Sequence, residues 1–284
     1  MHTLAIDIGG TKFSMAVFDQ DRIVRRESRA TDRAGGRDWM LAQIADVARA
    51  WQWELKFACC GIGFGGPVDF ASQRIYKSTH VGGWSDFPLS DELTRALEIP
   101  TIMDNDANVG ALGEANYGAG RGYSSIFYMT LSTGIGGGIY LNGKIWRGAD
   151  SYAGELGHLT IRPDGPECLC GARGCFERMC SGLWLEKDYG RPAQELMQDA
   201  RFVRRYVVDL ALGLKACIMI VNPARIVIGG GIGKAGEVLF GPLRDELRRQ
   251  ITDWSAARID VVPAELADDS VLYGALALTG ELRK

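Results

Sequence analysis

The chain has little of several things. Histidines number three and prolines nine in 284 residues, and no run of basic residues could neutralise many phosphates. Lys and Arg total 32 against 35 Asp and Glu, for a net charge of -3 and a pI near 5.7, so nucleic acid is not an expected partner. A long hydrophobic run is also missing. The first twenty residues carry Asp7, Lys12 and Asp19, and the most apolar later stretch, Val207 to Val221, is broken by Asp209 and Lys215. Neither a signal peptide nor a membrane span is expected, which points to the cytoplasm with no membrane partner. No Ser/Pro-rich linker occurs, so a domain boundary placed near Gly118 would be a tight hinge. The phosphate loop G-x-x-x-x-G-K-[ST] is absent, and no G-x-G-x-x-G opens a helix.

What the chain does have is glycine: 37 residues, about 13% against an average near 7%. They cluster beside β-branched residues, as where backbone meets a ligand. The length suggests about two domains. Leu4 to Ile8, the turn Gly9-Gly10-Thr11-Lys12 and Phe13 to Phe18 read as an opening hairpin. Met40, Ile44, Val47, Ala48 and Trp51 mark a helix with one buried face. A strand at Phe57 to Phe64 runs into Gly65-Gly66-Pro67, and Ser90 is placed to cap a helix carrying Leu93 and Leu97. Thr101 to Met103 leads into Asp104-Asn105-Asp106, at the start of a helix through Val109 and Leu112. The hairpin pattern recurs as strand Ile126 to Leu131, glycine turn Ser132 to Gly137 and strand Gly138 to Leu141. A long helix from Phe202 to Val221 precedes the strand Arg225 to Ile228 and Gly229-Gly230-Gly231. The expectation is an α/β protein with two related halves, residues 1–117 with a C-terminal helix near 270–284, and 118–269.

Glycine turns between strands offer N–H donors to an anion without a Cβ in the way, and two of them suit a polyphosphate. Asp7 could hold Mg²⁺ through water. Asp106, otherwise a helix cap, could accept the proton of a hydroxyl attacking a phosphoryl group. Seven cysteines is an odd number, and Cys168, Cys170, Cys175 and Cys180 crowd one segment. In a reducing compartment this favours a metal over disulfides. His158 with Cys168, Cys170 and Cys175 makes a tetrahedral Cys₃His zinc set, preferred to one using Cys180.

Taken together these motifs resemble the ROK family of sugar kinases and related repressors. The matching residues are Asp7 to Lys12, Gly65 to Asp69, Asp104 to Asn108, Ser132 to Gly138, Gly154-Glu155-Leu156-Gly157-His158, Cys168 to Glu177, Asn222-Pro223 and Gly229 to Gly231. The resemblance implies a two-lobed actin-like ATPase (ribonuclease H-like) fold with a structural zinc loop, ATP and a hexose meeting at the hinge, and a homodimer. By position it makes Asp106 the catalytic base. Gly66, Thr79, Asn105, Glu155, His158 and Glu177 join it as substrate-side residues. Gly9, Gly10, Thr11, Lys12, Thr133 and Gly134 would face the phosphates, with Asp7 beside them and Gly229, Gly230 and Gly231 at the adenosine.

The implied activity is ATP-dependent phosphorylation of a hexose 6-hydroxyl, as in glucokinase. N-acetylmannosamine, N-acetylglucosamine and fructose are the alternative acceptors. A sugar-sensing repressor would need a winged helix-turn-helix ahead of the first hairpin, where six residues precede Asp7. A non-catalytic actin-like protein would not need Asp106 together with Glu155 and Glu177. Two places depart from the family pattern. Ser78 to Trp84 lacks the usual Pro-Asn before Gly-Trp, which bears on sugar choice, and Ser181 to Arg201 is short.

Overall fold

The computed structural model describes residues 1–78 and 81–283, so Thr79 and His80 lie outside the described residues. In chain order the elements are β1 (His2–Ile8), β2 (Lys12–Asp19), β3 (Arg22–Ala30), α1 (Gly36–Gln52), β4 (Phe57–Phe64), β5 (Val68–Asp69), β6 (Arg74–Ile75), α2 (Leu89–Leu97), β7 (Thr101–Asn105) and α3 (Asp106–Tyr117). There follow β8 (Ser125–Leu131), β9 (Ile135–Leu141), β10 (Lys144–Ile145), α4 (Phe176–Cys180), α5 (Gly182–Tyr189), α6 (Ala193–Leu196), α7 (Ala200–Val221), β11 (Arg225–Gly229), α8 (Gly230–Gly233), α9 (Glu237–Ile251), β12 (Val261–Pro263) and α10 (Ser270–Leu278).

These fall into two units. Unit 1 comprises Met1–Tyr117, Arg147–Ala153 and Asp269–Lys284; unit 2 comprises Gly118–Trp146 and Gly154–Asp268. The Arg147–Ala153 segment, expected with the second half from its sequence position, therefore belongs to unit 1. Its side chains explain why, since Arg147 pairs with Asp104 and Glu281 and Ser151 accepts the Phe70 N–H.

The units share one topology. Unit 1 has sheet order β3-β2-β1-β4-β7 and unit 2 has β10-β9-β8-β11-β12. In each, a hairpin meander is antiparallel and the last two strands run parallel to the first. The inner strands read as apolar runs because both faces are covered. β4 is buried along nearly its whole length, while the edge strand β3 carries Arg22, Arg25, Arg26, Glu27 and Arg29 and is nowhere fully buried. α1 buries one stripe, Met40, Ile44, Val47, Ala48 and Trp51, as its spacing predicts, and Trp84 is core packing. α3 and α10 approach at the backbone. A Cβ added to Gly274 would stand 1.7 Å from the Val109 carbonyl, and one added to Gly113 would stand 2.0 Å from that of Ser270.

Two local expectations are corrected. Ser90 does not cap α2, which starts at Leu89 after Pro88; its hydroxyl donates to the Gln73 side chain at 2.8 Å instead. The second glycine turn is shorter than expected, because Ile135, Gly136 and Gly137 already pair as strand with Leu131, Thr130 and Met129.

Candidate active site

In unit 1, the β1–β2 turn is closed by the Gly9 N–H donating to the Lys12 carbonyl at 3.0 Å. A Cβ on Gly9 would lie 2.9 Å from that same oxygen, so the turn admits only glycine there. The segment after β3 braces it: the Thr31 hydroxyl donates to the Gly9 carbonyl at 3.1 Å, and Arg33 Nε donates to the Gly10 carbonyl at 3.2 Å. Thr11 and Lys12 are exposed at the tip, and Asp7 is half-buried at the end of β1. A carboxylate with access to water suits Mg²⁺, which keeps most of its hydration shell.

Asp104, Asn105 and Asp106 carry the chain from β7 into α3. Asn105 Oδ1 accepts the N–H groups of Ala107 at 3.0 Å and Asn108 at 3.3 Å, while its Nδ2 donates to the Gly66 carbonyl at 3.1 Å. Asp106 Oδ1 accepts the Ala107 N–H at 2.8 Å. The helix start is thus capped by both side chains. Asp106 also reaches the first glycine turn. At the position a Gly65 Cβ would occupy, Asp106 Oδ2 is 3.5 Å away and Gly9 Cα 3.6 Å. A carboxylate, the first glycine turn and Gly65 therefore meet at one point within unit 1.

In unit 2, the β8–β9 turn is held by the Ser132 N–H donating to the Gly134 carbonyl at 3.0 Å. The first turn of α5 closes over it, with Gly182 N–H on the Ser132 carbonyl at 2.7 Å and Leu183 N–H on that of Thr133 at 3.2 Å. Glu177, on α4, accepts the Ile135 N–H at 2.9 Å. A Cβ on Gly134 would lie 2.8 Å from the same carboxylate oxygen. Arg178 is engaged elsewhere, bidentate on Asp188 at 2.7 and 3.1 Å and over the Trp184 ring. Burial lifts the Glu155 carboxyl above its ordinary range; the His158 charge opposes this and the Glu177 charge adds to it. Glu155, His158 and Glu177 are thus electrostatic neighbours.

His158, Cys168, Cys170 and Cys175 place one ligand atom each within 4.8 Å of one another. Cys170 and Cys175 Sγ are 3.6 Å apart, too far for a disulfide and near the roughly 3.8 Å edge of a tetrahedron with metal–sulfur bonds of about 2.3 Å. The donor set therefore fits a tetrahedral metal. Cys180 is not among the clustered ligands: it is fully buried at the end of α4, and its carbonyl accepts the Tyr206 hydroxyl at 2.8 Å.

The third glycine cluster is partly explained by packing. Added Cβ atoms would stand 2.4 Å from the Tyr128 hydroxyl at Gly229 and 2.5 Å from the Leu131 carbonyl at Gly230, whereas Gly231 has only Gln194 nearby at 3.7 Å. Sequence reasoning missed Thr31, Arg33, Asp104 and Arg147. None lies in a glycine cluster, and only the Asp104-Asn105-Asp106 run carried a signal.

The ROK family model matches residues 3–281. A glucokinase of Thermotoga maritima is 34% identical, covering 98% of this chain and 97% of its own. An N-acetylmannosamine kinase of Vibrio cholerae is 30% identical over 97% and 98% of the two chains. Among solved structures, the Streptomyces griseus ROK glucokinase in complex with glucose and AMPPNP superposes with a TM-score of 0.87 at 28% identity, covering 99% of this chain and 100% of that one. The Thermus thermophilus ROK hexokinase gives 0.84 at 34% identity, over 100% and 99%.

Proposed function

This chain belongs to the ROK family, and we propose that it is an ATP-dependent sugar kinase that phosphorylates the 6-hydroxyl of a hexose, glucose in the first instance. One observation carries the reading: the Asp106 carboxylate and the Gly9 phosphate turn converge beside Gly65. A general base must stand within reach of both the acceptor hydroxyl and the phosphoryl group, and phosphoryl transfer asks the protein chiefly for positioning and charge stabilisation.

In this reading Asp106 Oδ2 takes the proton of the 6-hydroxyl, while Oδ1 stays on the Ala107 N–H and fixes the carboxylate plane. Asn105 and Gly66 hold the same side of the sugar, Glu155 and Glu177 accept its other hydroxyls, and the His158 ring nitrogen not used by the metal donates to one of them. The two glycine turns, with Thr11, Lys12 and Thr133, hold phosphate oxygens, and Gly231 leaves room for the adenosine. Mg²⁺, held through water by Asp7, would neutralise charge on the phosphates. Zinc on His158, Cys168, Cys170 and Cys175 would be structural, making the loop that presents Glu155 and Glu177 rigid. The same reading includes Thr79 at the sugar, a homodimer and a cytoplasmic location. No described helix is long and apolar enough to cross a membrane.

The test is a coupled ADP-release screen with Mg·ATP over a panel of hexoses and N-acetylated amino sugars. Glucose should give the highest kcat/KM, with a sugar 6-phosphate as product. N-acetylmannosamine is the second reading, on the strength of the Vibrio cholerae relative. Absence of any sugar-dependent ADP release would overturn both.

A further inference from the structure

Asp104 is 1% exposed, yet it carries a carboxylate that the chemistry above does not use. Its Oδ1 accepts the Asn105 N–H at 2.7 Å and Asn108 Nδ2 at 3.1 Å, and its Oδ2 accepts Arg147 Nε at 2.7 Å. Arg147 continues outward, donating from Nη2 to Glu281 at 3.2 Å, with its guanidinium 3.4 Å from the centre of the Phe70 ring. The segment bearing Arg147 is fixed in its turn: the Ala153 N–H donates to the Arg147 carbonyl at 3.0 Å, and the Ser151 hydroxyl accepts the Phe70 N–H at 3.3 Å.

Four stretches far apart in sequence, those of Phe70, Asp104, Arg147 and Glu281, thus meet behind the turn that presents Asn105 and Asp106. Burying a carboxylate and a guanidinium is costly unless the geometry is good and the remaining lone pairs and protons are satisfied. A pair kept here under those terms does something a packed apolar pair would not. Asp104 grips the peptide N–H immediately before Asp106 and the side chain one turn into α3. Arg147 fixes the carboxylate that does the gripping.

We propose that Arg147 is a positioning residue for phosphoryl transfer: acting through Asp104, it sets the angle at which Asp106 meets the acceptor hydroxyl. The inference rests on Asp106 being the base. The partners of Arg147 are Asp104, Glu281 and Phe70, so its contribution is to orientation and not to nucleotide binding.

The test is steady-state kinetics of full-length Arg147→Met, which keeps the apolar stem and removes the fork, measured at a temperature where circular dichroism shows it folded. A displacement on the order of 1 Å at the base costs about 10² in rate, so kcat should fall by about that factor while KM for ATP stays within twofold. Arg147→Lys should recover part of the loss, because it restores the charge without the planar fork. Should Arg147→Met fail to fold, Phe70→Leu provides the same reading by removing the stacking surface while keeping every charge, with a smaller fall in kcat at constant KM. A lower Tm with kcat unchanged, or a loss expressed wholly in KM, overturns the proposal. Asp106→Asn run in parallel separates the two claims: if that variant turns over normally the base assignment fails, whereas if it is inactive and Arg147→Met is not, only the positioning role fails.

Discussion

The Ile135 N–H donates to the Glu177 carboxylate at 2.9 Å, joining the first residue of β9 to the short helix that follows the cysteine loop. Glu177 was expected to face the sugar. Its observed partner is the strand that leaves the second glycine turn. A carboxylate has lone pairs for more than one donor, so this bond leaves Glu177 able to accept a hydroxyl as well.

The two roles separate by substitution. Glu177→Ala should leave the N–H of buried Ile135 without its acceptor, at a cost of about 1–3 kcal/mol, and should raise KM for the sugar. Glu177→Gln keeps a carbonyl oxygen for Ile135 but lacks the charge, so it should regain most of the stability while KM for the sugar remains raised. Equal sugar KM values in wild type and Glu177→Gln would remove Glu177 from the sugar site.

The fold was legible largely because its signals are local. Apolar runs ended by glycine announced β1, β4 and β11, one ended by Ser132-Thr133-Gly134 announced β8, and the spacing of Met40, Ile44, Val47 and Trp51 announced α1. The candidate metal cluster was legible because three of its four residues lie within eight positions. Ser90 was misread because a capping residue and a buried hydroxyl look alike until Gln73 is seen beside it. Arg147 could not have been found. An arginine following Ile145-Trp146 carries no mark of the Asp104 carboxylate 43 residues earlier.

Metal content follows from the clustered thiols and imidazole. An untagged preparation should contain one zinc per chain, and Cys170→Ser should lose it. Because binding is coupled to ordering of the loop, the variant should show new proteolytic cleavage between residues 159 and 175 and a lower Tm. Elemental analysis finding no zinc in protein never exposed to chelator would dispose of the assignment.

Asp106→Asn distinguishes a base from a cap. Asparagine caps a helix about as well as aspartate, and its Oδ1 can still accept the Ala107 N–H, so Tm should be nearly unchanged. It cannot accept the hydroxyl proton, and kcat should fall by about 10² to 10⁴. Near-normal turnover would reduce Asp106 to its capping role.

The α3–α10 contact can be tested through its glycines. Gly274 stands so close to the Val109 carbonyl that a methyl group would lie 1.7 Å from the oxygen, and backbone on both sides leaves no flexible side chain to move aside. Gly274→Ala must therefore force the helices apart, at about 1–3 kcal/mol or more, the range seen for overpacked cores. Gly280 lies just beyond α10, has no atom within 4 Å of an added Cβ, and does not need a positive φ. There an alanine should be neutral, or stabilising by about 0.4–1 kcal/mol, because it narrows the unfolded ensemble without meeting anything in the folded one. Urea denaturation of the two variants side by side makes the comparison internal. Equal midpoints would mean that the helices do not approach at the backbone as described, since no other difference between the two sites predicts opposite signs.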